Sequence, residues 1–332
     1  MPGNKVEIKR ETVSCDLCGG ADYIPLFEGQ DLQHGTAGNW PVVQCRDCGL
    51  IFTNPRPTAE TLAEIYPEDY APYKRKQRKR HGAWHKLQLW ALRQHGHYPP
   101  GTTGPMGRAA SLPVWLYMQC KRKNFDLFSW QGEGKLLDYG CGSGGYLRRM
   151  QSFGWKVTGM DMSRQAVEIC REQELAVYQG VNPQEMFPPE SFDVVTMWHV
   201  LEHVPSPTRT LTQMNSILKP KGKLVLAVPN TNSLTARCFG PNWFCWELPR
   251  HFTHFTKVTL SKMLEKTQFT VEKITHEIHG KTVQRSLKYL GRAKGRKIYT
   301  RLAGSRRLSV ILERFGACFF EPDIMVIHAR KK

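Results

Sequence analysis

From residue 134 onward the chain alternates between two hydrophobic rhythms. Short apolar, β-branched runs come first: "KLLDYG" (135–140), "KVTGMD" (156–161), "AVYQG" (176–180), "FDVVTMW" (192–198), "GKLVLAVPN" (222–230), "TVEKITHE" (270–277) and "IMVIHARK" (324–331). Each has the length and composition of a buried strand. Between them lie amphipathic stretches with helix punctuation. "GGYLRRMQSFG" (144–154) closes on Gly154, and "SRQAVEICREQ" (163–173) opens on Ser163 as N-cap. "SPTRTLTQMNSILKP" (206–220) has Ser206 at the N-cap, Pro207 in the first turn and Pro220 as its stop, and "VTLSKMLEKTQF" (258–269) follows. Strands alternating with helices predict an α/β fold with a doubly wound, mostly parallel seven-stranded sheet over residues 131–332.

The N-terminal third has a different texture. "CDLCGG" presents Cys15 and Cys18, and "CRDCGL" presents Cys45 and Cys48, with 26 residues between the two knuckles. Paired C-x-x-C knuckles followed by glycine bring four thiolates around one tetrahedral zinc, so residues 1–57 read as a zinc ribbon. A closed four-cysteine site leaves no open coordination position, and its expected role is structural. "NPRPTAETLAEIYPEDY" predicts a helix leading out. Residues 58–130 then form a basic, aromatic helical segment in which Trp84, Leu87 and Leu92 stand near helical spacing. Such a segment packs onto a core, here as a cap over the acceptor site, or meets a membrane interface or a partner.

Charge sharpens this picture. The 332 residues carry a formal net charge of +18, yet the excess sits in two places. Residues 71–125 hold twelve Lys or Arg and no acid, and 281–307 hold ten more, again without an acid; 25 basic and 29 acidic residues remain elsewhere. The body is slightly acidic, and two segments are available to meet an anionic surface, a phosphate or a nucleic acid. No apolar run approaches a membrane span and the N-terminus has no apolar leader, so a cytoplasmic protein is expected. The ten cysteines then read as metal ligands or buried thiols.

"LDYGCGSGGYL" satisfies G-x-G-x-x-G through Gly140, Gly142 and Gly145, a pattern also found in dinucleotide folds. Asp138 decides between ligands. A carboxylate at the strand tip repels a pyrophosphate and attracts an ammonium or sulfonium. Asp161, 23 residues later at the end of the second strand, is placed for ribose hydroxyls. S-adenosylmethionine (SAM) carries all of these groups. With "GMDMS", "FDVVTMWHVLEHVPSP" and "LKPKGKLVLAVPN" following in order, the chain resembles the class I SAM-dependent methyltransferases. The resemblance implies that Asp138, Gly140 and Gly142 hold the methionine part, Asp161 the ribose, and Met162 the adenine face. It extends the cofactor set to Tyr139, Cys141, Trp198 and His199. Many such enzymes place an acid after the third strand; here Asn182 stands near that position, with its amide oxygen as the substitute.

"WHVLEHVPSP" contains H-x-x-E-H, a zinc-peptidase pattern. Two histidines on one long helix are required for that chemistry, and Pro205 and Pro207 leave no room for one. The segment reads instead as the loop lining the methyl-transfer site. Quinone-precursor O-methyltransferases of similar fold carry E-x-x-E-H here and use a divalent ion. That resemblance implies a second metal at His199, Glu202 and His203, set against plain hydrogen bonding by the same residues. Methyl transfer to a hydroxyl also calls for a base. The candidates are His203 and His251, then His199 and His254. His199 and His203 belong to this loop, His251 and His254 to "PNWFCWELPRHFTHF" in a lid over 231–255. Arg250 is available for a carboxylate or phosphate. A basic helical insertion at 277–320 replaces the hairpin usual in the family. The reading is O-methylation of a small molecule or saccharide, lipid- or phosphate-linked, at the inner face of a membrane; amine and carbon acceptors rank below, and an RNA methyltransferase is the alternative.

Overall fold

The computed structural model describes residues 8–66, 82–95, 98–99, 104–120, 128–278, 280–316 and 319–332. The densest part of the first basic run, residues 74–80, lies outside the described residues.

The N-terminal unit is built from strands β1 (Arg10–Glu11), β2 (Tyr23–Gly29), β3 (Trp40–Cys45), β4 (Ile51–Thr53) and β5 (Arg56–Pro57). A 3-10 helix, Ala59–Ile65, stands where the leading-out helix was expected. Two helices follow, α1 (Ala83–His95) and α2 (Pro105–Cys120). The α/β part then runs β6 (Lys135–Tyr139), α3 (Gly145–Ser152), β7 (Lys156–Asp161), α4 (Arg164–Arg171), β8 (Val177–Gln179), β9 (Phe192–Trp198), α5 (Pro207–Ile217) and β10 (Leu218–Pro229). After it come α6 (Leu234–Phe239), β11 (Thr253–His254), α7 (Lys257–Lys266) and β12 (Phe269–Glu277). The insertion forms α8 (Lys281–Ala293), α9 (Lys297–Leu302) and α10 (Arg306–Gly316), and β13 (Ile324–Lys331) closes the chain.

The main sheet has seven strands in the order β12-β13-β10-β9-β6-β7-β8, with β13 antiparallel to both of its neighbours. Period-two alternation assigns its two faces. Leu137 of β6, Val195 and Met197 of β9, Leu224 and Leu226 of β10, and Met325 and Ile327 of β13 point one way, onto α5 and α7. Leu136, Val194, Val225, Ala227 and Val326 point the other way, onto α3 and α1. Buried Ala91 and Leu92 tie α1 into that second core, while Trp84 and Leu87 stay exposed.

The ribbon is not a separate bead. Its sheet has the order β11-β4-β3-β2, so the fourth strand comes from residues 253–254, about two hundred positions away. Cys15, Leu17, Val43 and Phe52 join the same core as α5 and α7. Lid residues Thr253 and His254 thereby belong to the ribbon's own sheet.

Candidate active site

The strand order reverses between β6 and β9, and a cavity of about 1200 Å³ opens at the carboxyl ends of the central strands. One wall is the β6–α3 loop. Gly140 has φ +76°, and a Cβ there would sit 2.4 Å from Val200 Cγ2, so no other residue fits between β6 and the loop after β9. The Gly142 amide donates to Asp161 Oδ2 (2.8 Å) and the Ser163 amide to Asp161 Oδ1 (2.9 Å). These bonds fix the second acid at the tip of β7.

Asp138 is buried, and the Thr196 hydroxyl donates to its Oδ1 at 2.7 Å. Burial pushes its carboxyl up to about 7; the Thr196 bond opposes this and the charge of Asp161 adds to it. A cation brought by a ligand would reverse that shift, which is the condition a sulfonium or ammonium meets. Asp138, Tyr139, Gly140, Cys141, Gly142, Asp161, Met162, Asn182, Trp198 and His199 all line this one cavity. Asn182 needs a correction. Its Oδ1 accepts from the Gln184 amide (3.2 Å) and Gln213 Nε2 (2.9 Å), and its Nδ2 donates to Glu185 (2.8 Å). The amide oxygen expected for the adenine amino group is engaged in capping the turn at Pro183–Glu185.

The facing wall begins at His199, which leaves β9 with φ +56° and keeps 42 % of its side chain exposed. Glu202 is only 1 % exposed, yet neither of its oxygens accepts a hydrogen bond from the described residues. His199 Nδ1 stands 3.4 Å from its Oε1. Desolvation works against the His199 cation, and the close approach and charge of Glu202 outweigh it, so this imidazole is raised.

His203 and His251 meet beside Glu202, with ring centroids 4.4 Å apart and nearly perpendicular planes. One ligand-capable atom from each of Glu202, His203 and His251 lies within 4.8 Å of the others. His203 Nδ1 faces the Arg250 carbonyl at 3.1 Å and the Tyr66 hydroxyl at 3.0 Å; His251 Nδ1 faces the Cys245 carbonyl at 2.9 Å. Carbonyls only accept, so in both rings the proton is on Nδ1 and Nε2 carries a bare lone pair. Burial holds both rings neutral, pulling His203 down to about 4 and His251 to about 3. Each imidazole is therefore unprotonated near neutrality, with Nε2 available to a proton.

Further sequence expectations are corrected on this wall. His254 does not line the cavity: it is buried against Trp246, and its Nε2 lies 3.3 Å from the Thr53 hydroxyl. Arg250 is not open to a ligand. It is wholly buried, with Nη1 and Nη2 donating to the two oxygens of Asp31 at 2.8 and 2.9 Å and Nε to Glu247 at 3.2 Å. The set His199, Glu202 and His203 is likewise rearranged, since His251 stands beside Glu202 and His203 in place of His199. Thr196, Tyr66, Glu247 and Asp31 carry no motif that would have marked them. Lys281, Thr282 and Arg285 of α8 line the cavity, so the insertion contributes to it.

The four knuckle cysteines converge outside this cavity. Cys15 and Cys48 sulfurs lie 3.4 Å apart, Cys18 and Cys45 3.5 Å, and all four within 4.8 Å. A tetrahedral Zn–S shell requires S···S edges of about 3.8 Å. The two knuckles repeat one backbone design: Cys15 N bonds Gly20 O and Gly19 N bonds Cys15 O, as Cys45 N bonds Leu50 O and Gly49 N bonds Cys45 O. Gly19 and Gly49 share φ +80°. The cluster fits a zinc ribbon.

Residues 118–274 match the family described as "Methyltransferase domain". This stretch, 157 of the 332 residues, is similar to that methyltransferase family. The domain is 32 % identical over 130 residues to a ubiquinone biosynthesis O-methyltransferase of Xanthomonas euvesicatoria, covering 36 % of this chain and 54 % of that protein. It is 38 % identical over 109 residues to the protein of the same name from Saccharophagus degradans, covering 30 % and 45 %. The chain thus spans about half the length of the curated relatives it matches. Among solved structures, a SAM-dependent methyltransferase from Archaeoglobus fulgidus aligns with 21 % identity and a TM-score of 0.42, over 66 % of this chain and 94 % of that one. The ribbon and the helical insertion lie outside residues 118–274.

Proposed function

We propose that this chain transfers the methyl group of SAM to a hydroxyl of a small molecule. The observation that carries the reading is the pair of neutral imidazoles, His203 and His251, beside the buried Glu202 carboxylate, in the same cavity as the donor loop. The acceptor oxygen attacks the methyl carbon in line, the C–S bond breaks, and its electron pair stays on sulfur, leaving the neutral thioether. The hydroxyl proton passes to Nε2 of one imidazole. Positive charge moves from sulfonium to imidazolium, where Glu202 and Glu247, the latter 3.8 Å from His251 Nε2, receive it. The O-methyltransferase names of the relatives support oxygen as the nucleophile.

Glu202, His203 and His251 are also a fitting donor set for a divalent cation, which would acidify a hydroxyl bound to it. We read the four cysteines as a structural zinc site. The finer acceptor identity, a lipid- or phosphate-linked molecule or saccharide, has two supports. Lys281 and Arg285 bring positive charge to the cavity lining. Ile311, Phe315 and Phe319 are 61, 66 and 69 % exposed beside exposed Arg307 and Arg314, a face suited to an anionic lipid surface. Among the described residues no helix is long and apolar enough to cross a membrane. Isotopically labelled SAM incubated with protein and cell extract tests the whole reading. Label in a small-molecule or lipid fraction, bound through oxygen, supports it; label in RNA overturns it.

A further inference from the structure

The ribbon grips both segments that form the acceptor wall. Asp31, in the loop between β2 and β3, forks onto Arg250 with neither side chain exposed. The neighbouring backbone is pinned by Thr53: its amide donates to the Phe252 carbonyl (2.9 Å) and its hydroxyl to the His251 carbonyl (3.0 Å). β11 pairs with β4 directly after. On the loop after β9, Asp16, inside the first knuckle, accepts from the Ser206 hydroxyl (2.5 Å) and the Thr208 amide (2.7 Å) at the start of α5. Arg56 donates to the Pro205 carbonyl at 2.6 Å. The two clamped segments are then stitched together, as Phe252 N donates to the Glu202 carbonyl at 2.8 Å.

We propose that the ribbon is a clamp for the acceptor half of the cavity, and that Asp31 is a positioning residue: by anchoring Arg250 it fixes the carbonyl that holds His203. The donor half is held differently, because β6, β7 and their loops bond within the α/β sheet. This proposal rests on the reading of His203 and His251 as the proton-accepting pair. The two parallel bonds of the fork fix the relative orientation of Arg250 and Asp31, and removing one partner strands the other charge.

The full chain with its metal is compared as wild type, Asp31→Asn and Asp31→Glu. Three measurements are made: the downfield proton resonance of His203 Nδ1–H, amide exchange over residues 250–254, and SAM affinity by calorimetry. Asp31→Asn is expected to lose the resonance and to exchange about 100-fold faster. SAM affinity should stay within about twofold, and Asp31→Glu should restore the resonance. A folded Asp31→Asn that keeps both resonance and slow exchange overturns the proposal. So does a loss of SAM binding equal to the loss at the lid. Should Asp31→Asn fail to fold, Arg250→Lys, which keeps the charge but not the fork, is read the same way. His203→Gln with undiminished turnover would sink the base assignment while leaving the Asp31 result intact, so the two failures are distinguishable.

Discussion

The two walls of the cavity are built on opposite plans. The donor wall is local. Asp138, Gly140, Gly142 and Asp161 fall within 24 consecutive residues, and their bonds close within that stretch, Ser163 just beyond it and the adjoining β9. The acceptor wall is assembled from distant pieces. Tyr66 comes from beside the ribbon, Glu202 and His203 from the loop after β9, His251 from the lid, and Lys281 from the insertion. A wall closed by short-range bonds is set by one strand–turn–helix unit. A wall closed by long-range bonds needs every partner in place, and here the ribbon brings the partners together.

Substitutions that act on one wall only would sharpen this contrast. The largest effect is expected for His203→Gln combined with His251→Ala. Turnover should fall roughly 10²–10⁴-fold with SAM affinity within about twofold, measured once an acceptor is in hand. Full turnover would reassign the base. Next comes Asp138→Asn, which removes the charge facing the donor: SAM binding should weaken roughly 10–100-fold by calorimetry. The apo variant should melt higher than the wild type at about pH 8, because ionising a carboxyl raised to about 7 costs stability as pH climbs past its unfolded value. Unchanged SAM affinity would refute the electrostatic account of that wall.

Acid is expected to act on both walls in different windows. SAM affinity should decline as pH falls through about 7, following Asp138. His203 and His251 have folded values of about 4 and 3, below the unfolded value near 6.5. Their neutral burial stabilises the fold above about pH 6.5, and that contribution is lost progressively as pH drops from there toward 4 and below. Thermal melts and binding isotherms across roughly pH 4–8 separate the two windows, and coincident midpoints would argue against separate walls. The smallest effect is expected for Thr196→Val, which deletes the 2.7 Å bond to Asp138 and should alter SAM affinity a few-fold.

The contrast also explains what was legible. The seven strands and their order of appearance followed from short apolar runs alternating with helical stretches, and capping residues placed the helices: Ser163 and Ser206 each accept the expected N-terminal amide, from Ala166 and Arg209. The paired C-x-x-C knuckles announced their own convergence. His254 and Arg250 look as available in sequence as His251, because a histidine or arginine in a lid reads the same whether it faces solvent, a cavity or a buried aspartate. Only burial separates them. Asp31 and Thr53 are ordinary polar residues whose partners lie some two hundred positions away, a distance over which no local pattern carries information.

By itself, the sequence determined the elements, the donor loop and the metal knuckles. In each of these the deciding interactions run between neighbours along the chain: turn sterics at glycine, capping bonds, alternation across a pleat. Tertiary structure alone decided which histidines face the acceptor, which arginine is spent on an ion pair, and that the ribbon shares a sheet with the lid. Those outcomes depend on which side chains lose water together, a property of the folded arrangement and not of any segment.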